Sequence, residues 1–120
     1  MLKETIEEAG IHASNLIFDN QVNTTLAFVH TFKNGDRDFS FYRNPGADMM
    51  LTAAEVNEET IKQSKIFHFG TLSMTADGVR EATKKAVKTA KENGCLISFD
   101  PNLTPSLRCC SLNVFSTLVI

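Results

Sequence analysis

The amino-acid sequence predicts an α/β fold that consists of one β-α-β unit and a separate β-hairpin. Residues 24–43 contain two β-type segments on either side of an Asn-Gly turn. Residues 65–100 contain two short apolar segments on either side of a long amphipathic one. The second pattern is typical of a parallel strand pair with a right-handed helical crossover. A chain of 120 residues is long enough for one domain and too short for two.

The hairpin is predicted at residues 24–43. Its first strand, TTLAFVHTF at 24–32, is rich in β-branched and aromatic residues, and its second strand, at 38–42, alternates Phe with polar residues. Asn34 and Gly35 between them tolerate the positive φ angles of a tight turn. The sequence Asn-Pro-Gly at 44–46 then ends the second strand.

The β-α-β unit is predicted to contain strands at 66–69 and 95–99 and a helix at 77–93 that ends at Gly94. The apolar face of this helix has a spacing of three and four residues and consists of Val79, Ala82, Ala86 and Ala90. A parallel sheet needs cover on both faces, and one long helix covers only one. The sequence therefore predicts an incomplete sheet.

Two shorter helices and an ambiguous end complete the prediction. Residues 2–9 form a helix that stops at Gly10, and Thr52 with Glu55 forms a capping box that starts a helix over 53–64. Residues 109–120 continue no earlier pattern. They are interpreted either as a divergent tail with one more strand at 114–120 or as a truncated or frame-disturbed end.

Composition excludes several classes of protein. The chain has 12 basic and 14 acidic residues, with its lysines interleaved among acidic residues, so we expect no nucleic-acid partner. It has neither an apolar run of membrane-spanning length nor a signal-peptide pattern, so we expect a cytoplasmic protein with no membrane partner. Cys95, Cys109 and Cys110 suit neither a disulfide framework nor a zinc site, and Cys95 is predicted to be a core thiol.

Candidate site residues follow the two predicted parallel strands. Ligands of such sheets bind beyond the carboxyl ends of the strands, which here are residues 70–73 and 100–102. Asp100 and Asn102 could meet a polar substrate or a phosphate there, or they could simply form a turn. Both interpretations remain open.

Two further groups have a functional and a structural interpretation. Phe41, Tyr42 and Arg43 end the hairpin, and the planar guanidinium could bond sugar hydroxyls or a carboxylate, although Arg43 could also be a solvent-facing residue. His68 lies between two Phe residues and lacks the usual partners of a general base. We therefore expect His68 to be a hydrogen-bonded core residue.

Four segments together resemble the fructokinase-type branch of the ribokinase-like (PfkB) family of sugar kinases. The segments are NTTLAFV at 23–29, NGDRDFSFYRNPGADMML at 34–51, KIFHFGTLS at 65–73 and LISFDPNLTPSL at 96–107. The resemblance covers residues 1–108, which we interpret as a partial kinase domain. It implies a partial ribokinase-like fold in which hairpin 24–43 belongs to a lid and unit 65–100 belongs to the central parallel sheet.

The resemblance also implies a function. Family members transfer the γ-phosphoryl group of ATP, with magnesium, to a sugar hydroxyl. In related keto-sugar kinases the lid segment that corresponds to Phe41, Tyr42 and Arg43 contacts the sugar, and the segment that contains Asp100 and Asn102 lies near sugar and phosphates. We therefore expect a fructose kinase, with 2-keto-3-deoxygluconate or another sugar as the alternative substrate. Some members dimerise through the lid, and a homodimer is possible here too.

Two departures from the family pattern limit this expectation. Thr104 stands where the family usually has Arg, and an Arg at a transferring phosphoryl group stabilises developing charge. The family's glycine-rich start and its late Gly-Ala-Gly-Asp motif, which supplies the catalytic base, do not occur in these 120 residues. The chain is thus expected to be a middle portion that is inactive by itself, or else a non-catalytic remnant or binding module.

Overall fold

The computed structural model describes residues 1–101 and confirms the α/β class. Strand β1 pairs antiparallel with β2, and β3 pairs parallel with β4. Short 3₁₀ turns lie at Ala47–Met49, Ala53–Glu55 and Thr71–Met74. The helices and strands, in chain order, are α1 (Leu2–Glu8), β1 (Leu26–Thr31), β2 (Arg37–Tyr42), α2 (Glu58–Lys62), β3 (Ile66–Gly70), α3 (Asp77–Glu92) and β4 (Leu96–Asp100).

Helix α3 covers one face of the β3–β4 pair, and the core lies between them. The four apolar residues that the sequence assigned to the buried face of α3 are all buried, and two of them, Ala82 and Ala90, are 1% and 0% exposed. Their small side chains let the helix axis come close to the strands. Larger side chains fill the remaining space: Ile61, Phe69, Met74, Val87 and Cys95. The prediction of Cys95 as a core thiol is confirmed.

The other face of the β3–β4 pair is open within the described residues. Ile66 and Leu96 lie opposite each other in the parallel register and are 58% and 65% exposed. Phe67 and Ile97, one position along each strand, instead pack against the core under α3. This alternation follows from the two-residue period of a strand. One helix covers one face, as the sequence predicted.

The hairpin forms as predicted, with Val29 opposite Phe39, but neither strand has a buried side chain. Gly35 takes a φ of 88° in the turn, which agrees with the Asn-Gly signal. The rings of Phe39 and Phe41 stack in parallel with centroids 6.1 Å apart, and both remain about half exposed. The hairpin therefore has a well-defined pairing and little hydrophobic stabilisation of its own.

The prediction of one helix over residues 53–64 is wrong. The Thr52 amide donates to the Glu55 carboxylate at 2.8 Å, as a capping box requires, and the Thr52 hydroxyl donates to the same carboxylate at 2.7 Å, but only the 3₁₀ turn Ala53–Glu55 follows. Asn57 then accepts a hydrogen bond from the Thr60 amide and starts α2. An Asn side chain competes for backbone donors in this way, and so a second helix start replaced the continuation of the first.

The remaining sequence predictions fall into two groups. Helix α1 ends just before Gly10, whose φ is 75°, and α3 ends before Gly94, whose φ is 74°, so both predicted terminators are confirmed. Cys109, Cys110 and the alternative strand at 114–120 lie outside the described residues. No helix within residues 1–101 is long and apolar enough to cross a membrane.

Hydrogen exchange should separate the two parts of this fold. We expect the amides of β3, α3 and β4 to be the most protected, because they surround the core, and those of the hairpin to exchange quickly, because a two-stranded ribbon with no buried side chain is marginally stable. Residue-resolved exchange monitored by NMR measures this directly. Stronger protection at Phe28 or Phe41 than at Ile97 would contradict the prediction.

Candidate functional site

The two segments predicted to hold the site meet at the carboxyl edge of the parallel strands. Gly70, the last residue of β3, lies opposite Asp100, the last residue of β4. Beyond them, the fully buried Thr71 donates from its hydroxyl to the Pro101 carbonyl at 2.8 Å. This hydrogen bond fixes the two strand ends relative to each other.

Hydroxyl groups shape the 3₁₀ turn Thr71–Met74 that follows β3. Ser73 donates to the Gly70 carbonyl at 2.7 Å, and Thr75 donates to the Leu72 carbonyl at 2.8 Å. The Thr83 hydroxyl of α3 lies within donating distance of two carbonyls, Val79 at 2.8 Å in its own helix and Ser73 at 3.1 Å, and the second contact ties the turn to the helix. The protons of these hydroxyls are already committed to backbone carbonyls, so their role in this edge is to hold its shape.

Arg43 joins the base of the hairpin to this edge. Its Nε donates to Asp48 Oδ2 at 2.7 Å, while its Nη2 donates to the Leu72 carbonyl at 3.3 Å and to the Thr75 hydroxyl at 3.0 Å. The arginine side chain is only 15% exposed. A single guanidinium thus bonds both the segment after β2 and the turn after β3, and the solvent-facing interpretation of Arg43 is wrong.

Asp48 accepts from both ends of the hairpin. One of its oxygens accepts from Arg43, which follows β2, and the other accepts from the hydroxyl of Thr25, which precedes β1. Gly46 lies buried between these groups, and a Cβ there would be 1.9 Å from the Thr25 hydroxyl oxygen and 2.7 Å from Asp48 Oδ1. A Cβ does not fit here while the Thr25–Asp48 hydrogen bond is in place. We call Thr25, Arg43, Gly46 and Asp48 the hairpin-base cluster.

The surroundings of Asp48 keep it ionised. Partial burial would by itself raise the pKa of its carboxyl, but the hydrogen bonds from Arg43 and Thr25 and the positive charge of Arg43 outweigh it, so the pKa lies below its usual value. The carboxylate in turn compensates the charge of Arg43. The cluster therefore brings a cation to the edge of the sheet together with its counter-ion.

The other predicted site residues do not belong to the hairpin-base cluster. Phe41 and Tyr42 are 58% and 65% exposed, and their positions in β2 place their side chains on opposite faces of the hairpin. Asp100 is exposed at the end of β4. Asn102 and Thr104 lie outside the described residues.

His68 does not lie in the core, and that prediction is wrong. It lies on the open face of β3, where its Nδ1 is 3.0 Å from the hydroxyl oxygen of Ser98, its register partner in β4. The residue is hydrogen-bonded, as expected, but exposed, because the described residues provide a helix for only one face of the strand pair. The flanking Phe67 and Phe69 point to the covered face and gave a misleading signal.

Sequence reasoning missed Thr25, Gly46 and Asp48. One usable signal was an acidic residue five positions after Arg43, on the other side of an Asn-Pro-Gly break that turns the chain back. Thr25 carried no such signal, since a Thr before a strand is common and its partner lies 23 positions away. Its role depends on the pairing of the whole hairpin.

A metal centre does not form within the described part of the chain. No group of three or more His, Cys, Asp and Glu side chains comes together among residues 1–101 in a way that could hold a metal ion.

Comparison with known proteins identifies the family. Residues 1–116 match the model of the pfkB family of carbohydrate kinases. This chain belongs to that family. The match covers nearly the whole sequence, whereas the subdivision at residue 108 stays a prediction.

Similar proteins include several fructokinases. The chain is 45% identical over 107 residues to fructokinase-1 of Zea mays and 46% identical over 103 residues to fructokinase-2 of Solanum lycopersicum, with 89% and 86% of this chain and 33% and 31% of those proteins covered. Its structure resembles the fructokinase with bound ATP from Xylella fastidiosa, with a TM-score of 0.77 and 33% identity over 87% of this chain and 33% of that one. The chain thus spans about a third of the length of the curated relatives that it matches.

Acid should loosen the hairpin base through Asp48. Its pKa is lower in the folded than in the unfolded chain, so the ion pair stabilises the fold above the unfolded value of about 3.9 and this contribution is lost as the pH falls through the folded value. We expect the NMR resonances of Thr25 and Thr75 to shift together over that range, since both bond the Arg43–Asp48 pair.

The control for this titration is Asp48→Asn, in which the coupled shift should be absent. The comparison is needed because Glu55 and Glu58 also have lowered pKa values, through hydrogen bonds from Thr52 and Lys85 respectively, and acid weakens those contacts too. A coupled shift that persists unchanged in Asp48→Asn would show that another carboxyl controls the hairpin base.

Proposed function

We propose that this chain is a portion of a fructokinase that transfers the γ-phosphoryl group of ATP to fructose, in which hairpin 24–43 is the lid over the sugar. The observation that carries the proposal is the fastening of the hairpin base, through Arg43, to the carboxyl edge of β3. Ligands of parallel sheets bind at this edge. Similarity to fructokinases at 45–46% identity supports the same assignment.

The charge state of the hairpin-base cluster favours fructose over a sugar acid. Arg43 is already paired with Asp48, and a compensated guanidinium has less attraction for a second carboxylate. It still donates hydrogen bonds well to neutral hydroxyls, because each N–H remains polarised. A neutral ketose therefore suits this site better than 2-keto-3-deoxygluconate, which brings a carboxylate of its own.

Roles for the remaining site residues extend this proposal. Phe41 and Tyr42 would contact the sugar from the lid, and Asp100 with Asn102 would lie near the sugar and the transferred phosphoryl group. Thr104, which replaces an Arg of the family pattern, would contribute a hydroxyl without a charge. ATP would supply the phosphoryl group, and Mg²⁺ would accompany its phosphates as in other phosphoryl transfers.

The isolated chain is proposed to lack activity. The Gly-Ala-Gly-Asp motif, to which the family resemblance assigns the catalytic base and the anion-binding amides, does not occur in the 120 residues. Loss of groups that stabilise developing charge typically costs orders of magnitude in rate.

A chimeric enzyme tests the function directly. The segment of Zea mays fructokinase-1 that matches this chain over 107 residues is replaced by the corresponding residues of this chain. We expect ATP-dependent phosphorylation of fructose by the chimera, weaker turnover of 2-keto-3-deoxygluconate, and no product from the isolated 120-residue chain. A folded chimera that prefers the sugar acid, or that phosphorylates neither sugar, would overturn the proposal.

The same chimera tests Arg43. Replacing Arg43 by Ala should lower kcat/KM for fructose about 5- to 150-fold, equivalent to roughly 1–3 kcal/mol, and leave the KM for ATP unchanged, because the lid faces the sugar. Arg37→Ala is the matched control, since Arg37 is an exposed arginine at the start of β2, the strand that Arg43 follows. Equal effects of the two substitutions would remove Arg43 from the sugar site.

A homodimer through the hairpin is a further part of the proposal. Val29, Phe39 and Phe41 share one face, and each is at least 50% exposed. Exposed apolar faces on paired strands are typical association surfaces. Sedimentation of the chimera should show a dimer that Phe39→Glu weakens, while Phe28→Glu on the opposite face should have the smaller effect; a monomer at all concentrations would argue against it.

A further inference from the structure

We infer that Asp48 is a positioning residue that holds the lid hairpin and Arg43 in one fixed arrangement over the carboxyl edge of β3. The structural part of this inference depends only on the contacts of the hairpin-base cluster. Its kinetic consequence rests on the proposed sugar kinase function. Asp48 acts through Arg43 and through Thr25, and it is assigned no contact with substrate.

The carboxylate closes the hairpin at its open end. Thr25 lies just before β1 and Arg43 just after β2, and Asp48 accepts a hydrogen bond from each. The amide of Ala47 also donates to the Asn23 carbonyl at 3.0 Å, so the chain after the hairpin returns to the chain before it. These contacts hold the two strand ends together where the β1–β2 ladder stops.

The same carboxylate sets the orientation of the guanidinium. Asp48 Oδ2 accepts from Nε and lies 2.5 Å from Nη2, and Nη2 also reaches the Leu72 carbonyl and the Thr75 hydroxyl. The Nε–Nη2 edge of Arg43 is therefore held by protein groups. Because the guanidinium is planar, fixing this edge also fixes the direction of Nη1, a nitrogen on which the described residues place no hydrogen bond and which could donate to a sugar.

Two other residues of the cluster make this arrangement possible. Gly46 leaves the space that the Thr25–Asp48 hydrogen bond occupies, since any Cβ would overlap the Thr25 hydroxyl. Thr25 holds the second carboxylate oxygen and so prevents the carboxylate from turning away from Arg43. The hairpin strands bury no side chains, so these polar contacts are the main tie between the hairpin and the β-α-β unit in the described part of the chain.

The decisive variant is Asp48→Asn in the chimera. It preserves size and one acceptor oxygen but removes the charge that orients Arg43. We expect kcat/KM for fructose to fall about tenfold to a hundredfold, as for other small misplacements of a binding group, with the KM for ATP unchanged. Thr25→Val, which keeps the charge and the shape, should give a smaller loss of the same kind. Asp38→Asn is the control, because Asp38 is an exposed aspartate of the same hairpin.

A double-mutant cycle separates positioning from simple destabilisation. If Asp48 acts through Arg43, then Asp48→Asn should cost little further fructose kcat/KM once Arg43 is already Ala. Fully additive losses, or an Asp48→Asn variant that is indistinguishable from Asp38→Asn, would overturn the inference. A loss of thermal stability with unchanged fructose kinetics would also overturn it.

A structural measurement distinguishes this inference from the proposed function. In the 120-residue chain, the Arg43 Nε proton should exchange slowly with water, and Asp48→Asn should accelerate that exchange at least tenfold, because its charged acceptor is removed. If the chimera is inactive but this acceleration occurs, the kinase proposal fails and the positioning role of Asp48 stands. If the exchange rate is the same in both proteins, the positioning role fails whatever the activity.

Discussion

Burial of one face of α3 against β3 and β4 is the interaction on which the rest of the structure depends. Removing Val87, Phe69 and Met74 from water contributes about 1.5–3 kcal/mol for each buried side chain, and Ile61 of α2 adds to the same core from its own contact with α3. The packing aligns the strands in parallel and so brings Gly70 and Asp100 to the same edge. The two strand ends stay side by side because of this helix packing together with the Thr71–Pro101 hydrogen bond.

The position of the hairpin relative to the β-α-β unit is set by its contacts with that edge. Its strands bury no side chains, so dispersion and the hydrophobic effect do little to fix its angle to the sheet. Directional polar contacts do so instead, and a guanidinium suits this task because its fork bonds several acceptors in a defined plane. Arg43 bonds a carboxylate, a backbone carbonyl and a hydroxyl from two separate parts of the chain.

Local signals made most of the fold predictable. The spacing of small apolar residues in α3, the Asn34-Gly35 turn and the glycines after two helices each act within a few residues, and the structure follows them. The wrong predictions have two causes: competition between two helix starts, and the lack of a covering layer on one face of the β3–β4 pair among the described residues. The Thr52 capping box starts only a short 3₁₀ turn, because Asn57 begins a separate helix. The Phe neighbours of His68 predicted a core position for it, but strand alternation turns its side chain to the opposite face. Arg43 could be selected as a candidate, but its partners at Leu72 and Thr75 depend on how the hairpin meets the sheet, which no local pattern encodes.

The Arg43–Asp48 pair holds the guanidinium in place and still leaves part of it without a hydrogen bond from the described residues. A binding arginine has to be held rigidly, yet every N–H used to hold it is lost to the ligand. Here the protein uses the Nε–Nη2 edge, which leaves Nη1 for a ligand, and the described residues place no hydrogen bond on that nitrogen. Asp48 also lowers the net charge that a ligand meets, which reduces the attraction for anions more than the capacity to donate to hydroxyls. In the proposed fructose site, the ion pair would thus favour a neutral polyol through the same contact that fixes the hairpin.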